Sequence, residues 1–341
     1  MVNIQENIVS TSPLVSVVIG VHNGGADLEP TLHSVLDQQN VDFEVIVVDD
    51  GSSDQTADVL ERLAGIHPNL RVFHQTKNVG LTKALILGCL EARGKFIARQ
   101  DVGDISLPGR MCAQVLFLEK QPSVVLSSCW TRIVGPEQEY LGANCPSDSP
   151  DVATNKLLGG QAGVTHHGAV MFRADAYHLT GGYRSEFYFA QDLDLWYRLL
   201  QFGKLAFLPA VLYEVQITTK ALSSRYRNQQ IALASIIRQL AYRETRESAT
   251  EAELLIQASQ IRPETCPTFT RNGMVSGEYW IASMLILQSD PRAARYLIIV
   301  IRQRPLFLKA WFGFIRLAIS MIRKSIRYLI GKRPHESSAS F

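Results

Sequence analysis

Short apolar runs rich in β-branched residues alternate with stretches of helical periodicity through the first hundred residues, and no other feature constrains the fold as tightly. Val15 to Val21 is the first run, ended by Asn23-Gly24-Gly25; Leu28, Leu32, Val35 and Leu36 then recur at helical spacing. Phe43 to Val48 is the second run, closed by Asp49-Asp50-Gly51-Ser52-Ser53-Asp54. A helix over Thr56 to Ala64, a strand over Leu70 to Phe73, a helix over Thr82 to Ala92 and a strand over Lys95 to Ala98 follow. The βαβαβαβ order predicts an α/β fold, a mainly parallel sheet flanked by helices. In such sheets ligands bind at the carboxyl ends of the strands.

The polar clusters fall at those ends. Asp49 and Asp50 enter a turn that Asp and Ser stabilise by bonding nearby amides; alternatively, a carboxylate there accepts hydrogen bonds from a nucleotide base or ribose. Arg99-Gln100-Asp101-Val102-Gly103-Asp104 follows the fourth strand. Asp101 and Asp104 can share a hard divalent cation bridging a diphosphate, or simply cap the helix expected near Pro108. In Gln191-Asp192-Leu193-Asp194, Asp192 suits a helix N-cap and Asp194 the first turn. A carboxylate at a helix start facing a cleft can also take a proton from a hydroxyl. His166 and His167, before the apolar Ala169 to Phe172 strand, either line the same cleft or serve the structure. Neither G-x-G-x-x-G nor G-x-x-x-x-G-K-S/T is present.

Taken in order, VSVVIGVHNG (Val15 to Gly24), FEVIVVDDGSSDQT (Phe43 to Thr56), NVGLTKAL (Asn78 to Leu85), ARGKFIARQDVGD (Ala92 to Asp104), HGAVMFR (His167 to Arg173) and GGYRSEFYFAQDLDLWYRL (Gly181 to Leu199) resemble the family-2 glycosyltransferases of the GT-A fold, over about 200 residues. The resemblance implies an inverting, nucleotide-sugar-dependent glycosyltransferase. It implies that Val21, His22 and Asp50 hold base and ribose, and that Asp101 and Asp104 stand where the family's metal and diphosphate motif stands. Asp192 matches the catalytic base that deprotonates the acceptor hydroxyl. By the same analogy Lys83 lies near the donor, and His167, Arg110 and Trp196 lie on the donor and acceptor side. The chemistry needs no covalent nucleophile.

Two positions depart from the family pattern. Gly103 stands where the metal loop Asp-x-Asp-Asp has its third position, and Gln216 stands where a His often follows the last strand. The expectation is a divalent cation, Mg2+ or Mn2+, bound weakly for want of those ligands. The expected partners are a nucleotide-diphosphate sugar and a glycan or lipid-linked acceptor, in surface polysaccharide or glycolipid assembly. A catalytically weak relative that only binds a sugar nucleotide or glycan is the alternative. A nucleotidyltransferase would need a basic glycine-rich loop after the first strand, which Asn23-Gly24-Gly25-Ala26 does not supply.

The expected organisation is a disordered N-terminus (1–12), a GT-A domain (13–220), a helical C-terminal region (221–333) and a frayed tail (334–341). Eleven Lys or Arg and no Asp or Glu lie between Arg292 and Arg333, although the whole chain carries a formal charge of only +2. Within the helix expected over Pro305 to Ile330, Lys309, Arg316, Arg323 and Arg327 share one face and the rest is largely apolar. This arc packs on neighbouring helices, on a second subunit in a homo-oligomer, or on an anionic membrane surface. Nucleic acid is not expected, because the basic stripe is narrow and the aromatics lie on the apolar side. Five scattered cysteines give neither a zinc ribbon nor a disulfide framework. With no apolar leader or long uncharged span in view, the expected location is cytoplasmic, peripheral on the inner face of the membrane.

Overall fold

The computed structural model describes residues 12–217, 226–241, 250–263 and 271–331, with the backbone alone for 271–276 and 327–331. The expected disordered N-terminus (but for residue 12), the frayed tail and the junction near 220 lie outside them. Four parallel strands form as the apolar runs predict: β1 (Val15–Val21), β2 (Phe43–Asp49), β3 (Leu70–His74) and β4 (Phe96–Arg99), ordered β3-β2-β1-β4. The crossovers are α1 (Leu28–Leu36), α2 (Thr56–Ala64) and α3 (Leu81–Leu90). Alternate residues of β1 feed two separate clusters. Val17, Ile19 and Val21 pack with Leu28, Leu32 and Leu60, while Val18 packs with Leu85, Ile97 and Phe172. Both faces are therefore apolar, as a sheet covered on both sides requires.

Beyond residue 100 the sheet changes sense. The remaining elements are β5 (Ile105–Ser106), α4 (Arg110–Lys120), β6 (Val124–Val134), β7 (Tyr140–Asn144), α5 (Pro150–Leu158), β8 (Val170–Arg173), α6 (Ala174–Leu179), α7 (Gln191–Leu199) and β9 (Lys204–Gln216). The order continues β4-β8-β6-β9-β5, with β7 on β6. β8 runs antiparallel to both β4 and β6, and β5 runs antiparallel to β9. Because β8 is antiparallel to β4, its amino end lies beside the carboxyl end of β4. The chain entering β8 thus meets the chain leaving β4.

Two compact units emerge. The first comprises the described parts of Met1–Arg132, Ala143–Gln216 and Arg227–Pro263. Helices α8 (Arg227–Ala241) and α9 (Glu251–Gln260) therefore belong with the sheet, whereas a boundary near 220 would assign them to the C-terminal region. The physical reason is apolar burial: Leu233, Ile236, Ile237, Leu254 and Ala258 enter the cluster of Leu195, Trp196 and Leu199. The second unit contains Ile133–Gly142 and the helices α10 (Arg271–Leu287), α11 (Ala293–Gln303) and α12 (Leu308–Gly331). Its core joins Leu141 to Ile281, Leu285, Leu297, Val300, Ala310 and Leu317, and Tyr296 donates to Glu139 at 2.7 Å. Among the described residues no helix is long and apolar enough to cross a membrane.

Candidate active site

Asp101, Asp104 and His166 converge where β4 ends and the chain turns into β8; their ligand atoms all lie within 4.8 Å of one another. His166 Nδ1 is 3.4 Å from Asp104 Oδ2 and 3.9 Å from Asp101 Oδ2. That nitrogen also accepts from Gly168 N–H at 3.3 Å. Two carboxylates and an imidazole this close can share a proton or a cation. Burial pushes Asp104 up to about 6, partly offset by His166. Oxygen and imidazole donors gathered this closely suit a divalent cation. The imidazole is not the one a reading of the last strand would look for. Gln216 instead donates its backbone N–H to Asp104 Oδ1 (2.9 Å) and its side-chain amide to Glu214 (2.7 Å).

Buried polar groups fix these donors in place. Tyr213 O–H donates to Asp104 Oδ2 (3.0 Å) and accepts from Asp101 N–H (3.3 Å). Gly168 makes room for it: a Cβ there would stand 1.9 Å from the tyrosine oxygen. Arg99 is fully buried, pairs with Asp101 Oδ1 at 2.9 Å and donates to the Val18 carbonyl. Burial pushes Asp101 up, but His167, Arg99, His166 and Arg110 outweigh it and hold the carboxyl below its ordinary value. Gln100 donates to the carbonyls of Asp101 and Asp104, bracing the loop from within. Arg99, Gln100, Gly168 and Tyr213 were not singled out from sequence. Only Arg99 and Gln100, flanking the acidic loop, carried a signal there.

The other site residues divide into open and enclosed. Asp192 is half-buried in the first turn of α7, and its side chain has no hydrogen-bond partner among the described residues. The residue at the N-cap position is Ala190 (φ 55), so Asp192 does not cap the helix. Asp194 faces inward and binds the Arg198 guanidinium through Oδ2, with Arg184 3.7 Å from Oδ1. His167 is held between Tyr183 O–H (3.4 Å from Nε2) and Asp101 Oδ2 (3.7 Å from Nδ1). Burial lowers its pKa, and the nearby Asp101 and Asp192 pull it back.

At the ends of β1 and β2, Val21 is buried, while His22 is exposed and its Nδ1 lies 3.0 Å from the Asp50 carbonyl. Asp50 is only 2% exposed, and its two oxygens accept from Val79 N–H and Gly80 N–H at 2.8 Å each. Its carboxylate thus holds the Asn78 to Gly80 loop and leaves little surface for a ligand. Lys83 is exposed in the first turn of α3.

Two expected ligand-side residues prove to be internal. Arg110 is fully buried, donates to Gln100, Ser106, Gln114 and the carbonyls of Arg99, Gly168 and Val170, and lies over the Tyr213 ring. It braces the site from behind, because every nitrogen of its guanidinium is already engaged. Trp196 is buried beneath His167, their ring centroids 6.1 Å apart, with its edge on Phe172. It supports the imidazole and offers no surface to a ligand.

A mixed sheet whose strand ends gather two carboxylates and an imidazole, with an open carboxylate at a nearby helix start, defines a nucleotide-sugar transferase of the GT-A type. The Glycosyl transferase family 2 model matches residues 16–180. EpsE of Bacillus subtilis (strain 168), named as a glycosyltransferase, is 30% identical over 241 residues, covering 69% of this chain and 84% of that one. The amylovoran biosynthesis glycosyltransferase AmsE of Erwinia amylovora is 30% identical over 214 residues, 62% of this chain and 79% of that one. Among solved structures, TarS 1-349 of S. aureus in complex with UDP-GlcNAc shares the fold at TM-score 0.53 and 18% identity, covering 92% of this chain and 91% of that one. The mannosyltransferase PcManGT of Pyrobaculum calidifontis, in complex with GDP-Man and Mn2+, does so at TM-score 0.53 and 18% identity, covering 95% and 89%. The chain belongs to glycosyl transferase family 2, and it is a glycosyltransferase.

Proposed function

We propose that the chain transfers a sugar, with inversion at the anomeric carbon, from a nucleotide diphosphate to a hydroxyl of a growing glycan or lipid-linked acceptor. The observation that carries this reading is the convergence of Asp101, Asp104 and His166 at the sheet edge, with Asp192 left open at the start of α7. The nucleotide lies along the ends of β1 and β2, against Val21 and His22, with Asp50 acting chiefly through the loop it holds. Lys83 offers a cation to the diphosphate from the first turn of α3. Asp192 accepts the acceptor O–H proton while that oxygen forms its bond to the anomeric carbon. The bond from that carbon to the diphosphate oxygen breaks, and its electron pair leaves with the nucleotide. Asp101, Asp104 and His166 would hold Mg2+ or Mn2+, which when bound offsets the charge of the diphosphate. The donors in TarS and PcManGT, and the polysaccharide named for AmsE, support this choice of substrates.

The test is donor turnover over a panel of nucleotide sugars with and without Mn2+, alongside nucleotide binding by calorimetry. Cation-dependent release of nucleotide that His166→Ala suppresses is the expected result. Tight nucleotide binding with no turnover on any donor would mark the chain as a binding relative instead.

A further inference from the structure

Helix α12 has two apolar faces, and only one of them is used. The inner face carries Ala310, Gly313 and Leu317, all buried; a Cβ at Gly313 would stand 2.6 Å from Leu297 of α11, and Ser320 Oγ donates to the Ile286 carbonyl at 3.0 Å. The opposite face presents Leu308, Phe312, Ile315, Ile319, Ile322 and Ile326, spaced by alternating fours and threes, all exposed. Phe312 is 61% exposed, Ile322 58%, and Trp311 at the margin 51%. At about 100° per residue these six share one arc, and the exposed Lys309, Arg316 and Arg323 form a column along one edge of it. Isolated exposed apolar residues need no explanation, but an unbroken stripe along some five turns does.

We propose that this outer face of α12 docks in the interfacial layer of an anionic lipid bilayer, lying parallel to the surface. Charge selects the occupant. The region from Arg292 to Arg333 holds eleven basic residues and no acidic one, so a second copy laid on this face would bring like charge to like charge with no acidic partner from this region. A nucleic acid would neutralise the arginines but leave the apolar stripe in water. An anionic bilayer satisfies both, taking the apolar side chains at the acyl boundary and the basic ones at the headgroups. The uncharged runs Ala310 to Ile315 and Leu317 to Ile322 are far short of the roughly 20 residues needed to span. The helix therefore lies on the membrane and does not cross it.

The proposal is tested by co-sedimentation of the full chain with vesicles. It should partition onto phosphatidylglycerol-containing vesicles at low salt, leave them at high salt, and bind phosphatidylcholine vesicles poorly. Replacing Lys309, Arg316 and Arg323 with Gln should weaken partitioning by on the order of a hundred-fold, about five-fold per charge. Phe312→Ser with Ile319→Ser should abolish it while leaving the thermal midpoint near that of the parent. In the unaltered chain, vesicles should blue-shift tryptophan emission, and Trp311→Phe should remove that shift. Failure to bind anionic vesicles at low salt, or equal binding to neutral ones, overturns the proposal. So does a dimer in sedimentation velocity that the Phe312/Ile319 pair dissociates, which would show that a second copy covers this face.

Discussion

The Tyr213 hydroxyl donates to Asp104 Oδ2 at 3.0 Å and accepts from the Asp101 amide at 3.3 Å, so one oxygen from β9 fixes both carboxylates of the loop after β4. The neutral phenol is favoured here, because burial and the two aspartates raise its pKa well above the usual value. It can therefore only donate to Asp104, whose Oδ2 also lies 3.4 Å from His166 Nδ1. Tyr213→Phe removes the link without changing the ring that Arg110 covers. Mn2+ affinity in the presence of nucleotide should fall about 10- to 100-fold, as when an outer partner of a metal ligand is lost. Unfolding stability should fall by about 1–3 kcal/mol, since the buried Asp104 oxygen loses its donor. An unchanged calorimetric Mn2+ isotherm would show that the hydroxyl does not orient the site.

His166 and Gln216 make opposite predictions. His166→Ala should remove most Mn2+ binding, because the imidazole stands 3.4 Å from Asp104 Oδ2. Gln216→Ala should change it little, since it is the backbone N–H of Gln216 that meets Asp104. Restoring the family's missing carboxylate with Gly103→Asp is a poorer experiment than the sequence suggests. Gly103 sits at φ +97, a conformation strained for any side chain, and its N–H donates to Thr31 Oγ1. If Gln216→Ala proved as damaging as His166→Ala, the three-residue donor set would be the wrong one.

His74 gives a pH dependence away from that cluster. Its Nδ1 is 2.9 Å from Asp49 Oδ2 and its Nε2 is 2.8 Å from Glu61 Oε1. The Asp49 hydrogen bond, against some desolvation, raises the imidazole above its ordinary value of 6.5. A raised folded value means the charged form is favoured on folding. The contribution is therefore complete below about 6.5 and disappears as pH climbs through the folded value. Urea midpoints of the parent and of His74→Gln should differ most at mildly acidic pH, below the ordinary imidazole value, and converge at alkaline pH, above the raised folded value. A gap that stayed constant with pH would mean that the pair does not titrate.

The parallel half of the sheet was legible because β1 and β2 are buried on both faces and so read as unbroken apolar runs. β9 was not, since partly exposed positions interrupt its apolar pattern and Pro209 sits within it. The resemblance alone implied a last strand before Gln216, and no spacing connects Tyr213 to an aspartate 109 residues earlier. The acidic clusters and Asp192 stood out because strand ends in such sheets face ligands. Arg110 and Trp196 were expected there from the family analogy and turned out to face inward. An arginine is enclosed only when carbonyls converge on it, and those of Arg99, Gly168 and Val170 come from the end of β4 and the entry to β8. Sequence spacing does not reveal that kind of convergence.

The two aspartates of Gln191-Asp192-Leu193-Asp194 separate catalysis from stability. Asp192 is half-buried and its side chain has no hydrogen-bond partner among the described residues, so Asp192→Asn removes the proposed base without breaking a side-chain hydrogen bond. Turnover should drop by on the order of a hundred-fold or more while nucleotide affinity and thermal midpoint stay nearly constant. Asp194 is buried, and its Oδ2 accepts from both Nε and an Nη of Arg198, which also donates to the carbonyls of Thr180 and Gly182. Asp194→Ala leaves that guanidinium uncompensated, at a cost of about 3–5 kcal/mol in stability. Its effect on turnover should follow the loss of folded protein and recover at lower temperature, whereas the Asp192→Asn defect should persist at every temperature. Equal loss of nucleotide binding and turnover in Asp192→Asn, with a lowered midpoint, would instead make Asp192 part of the scaffold and leave the base to be sought elsewhere.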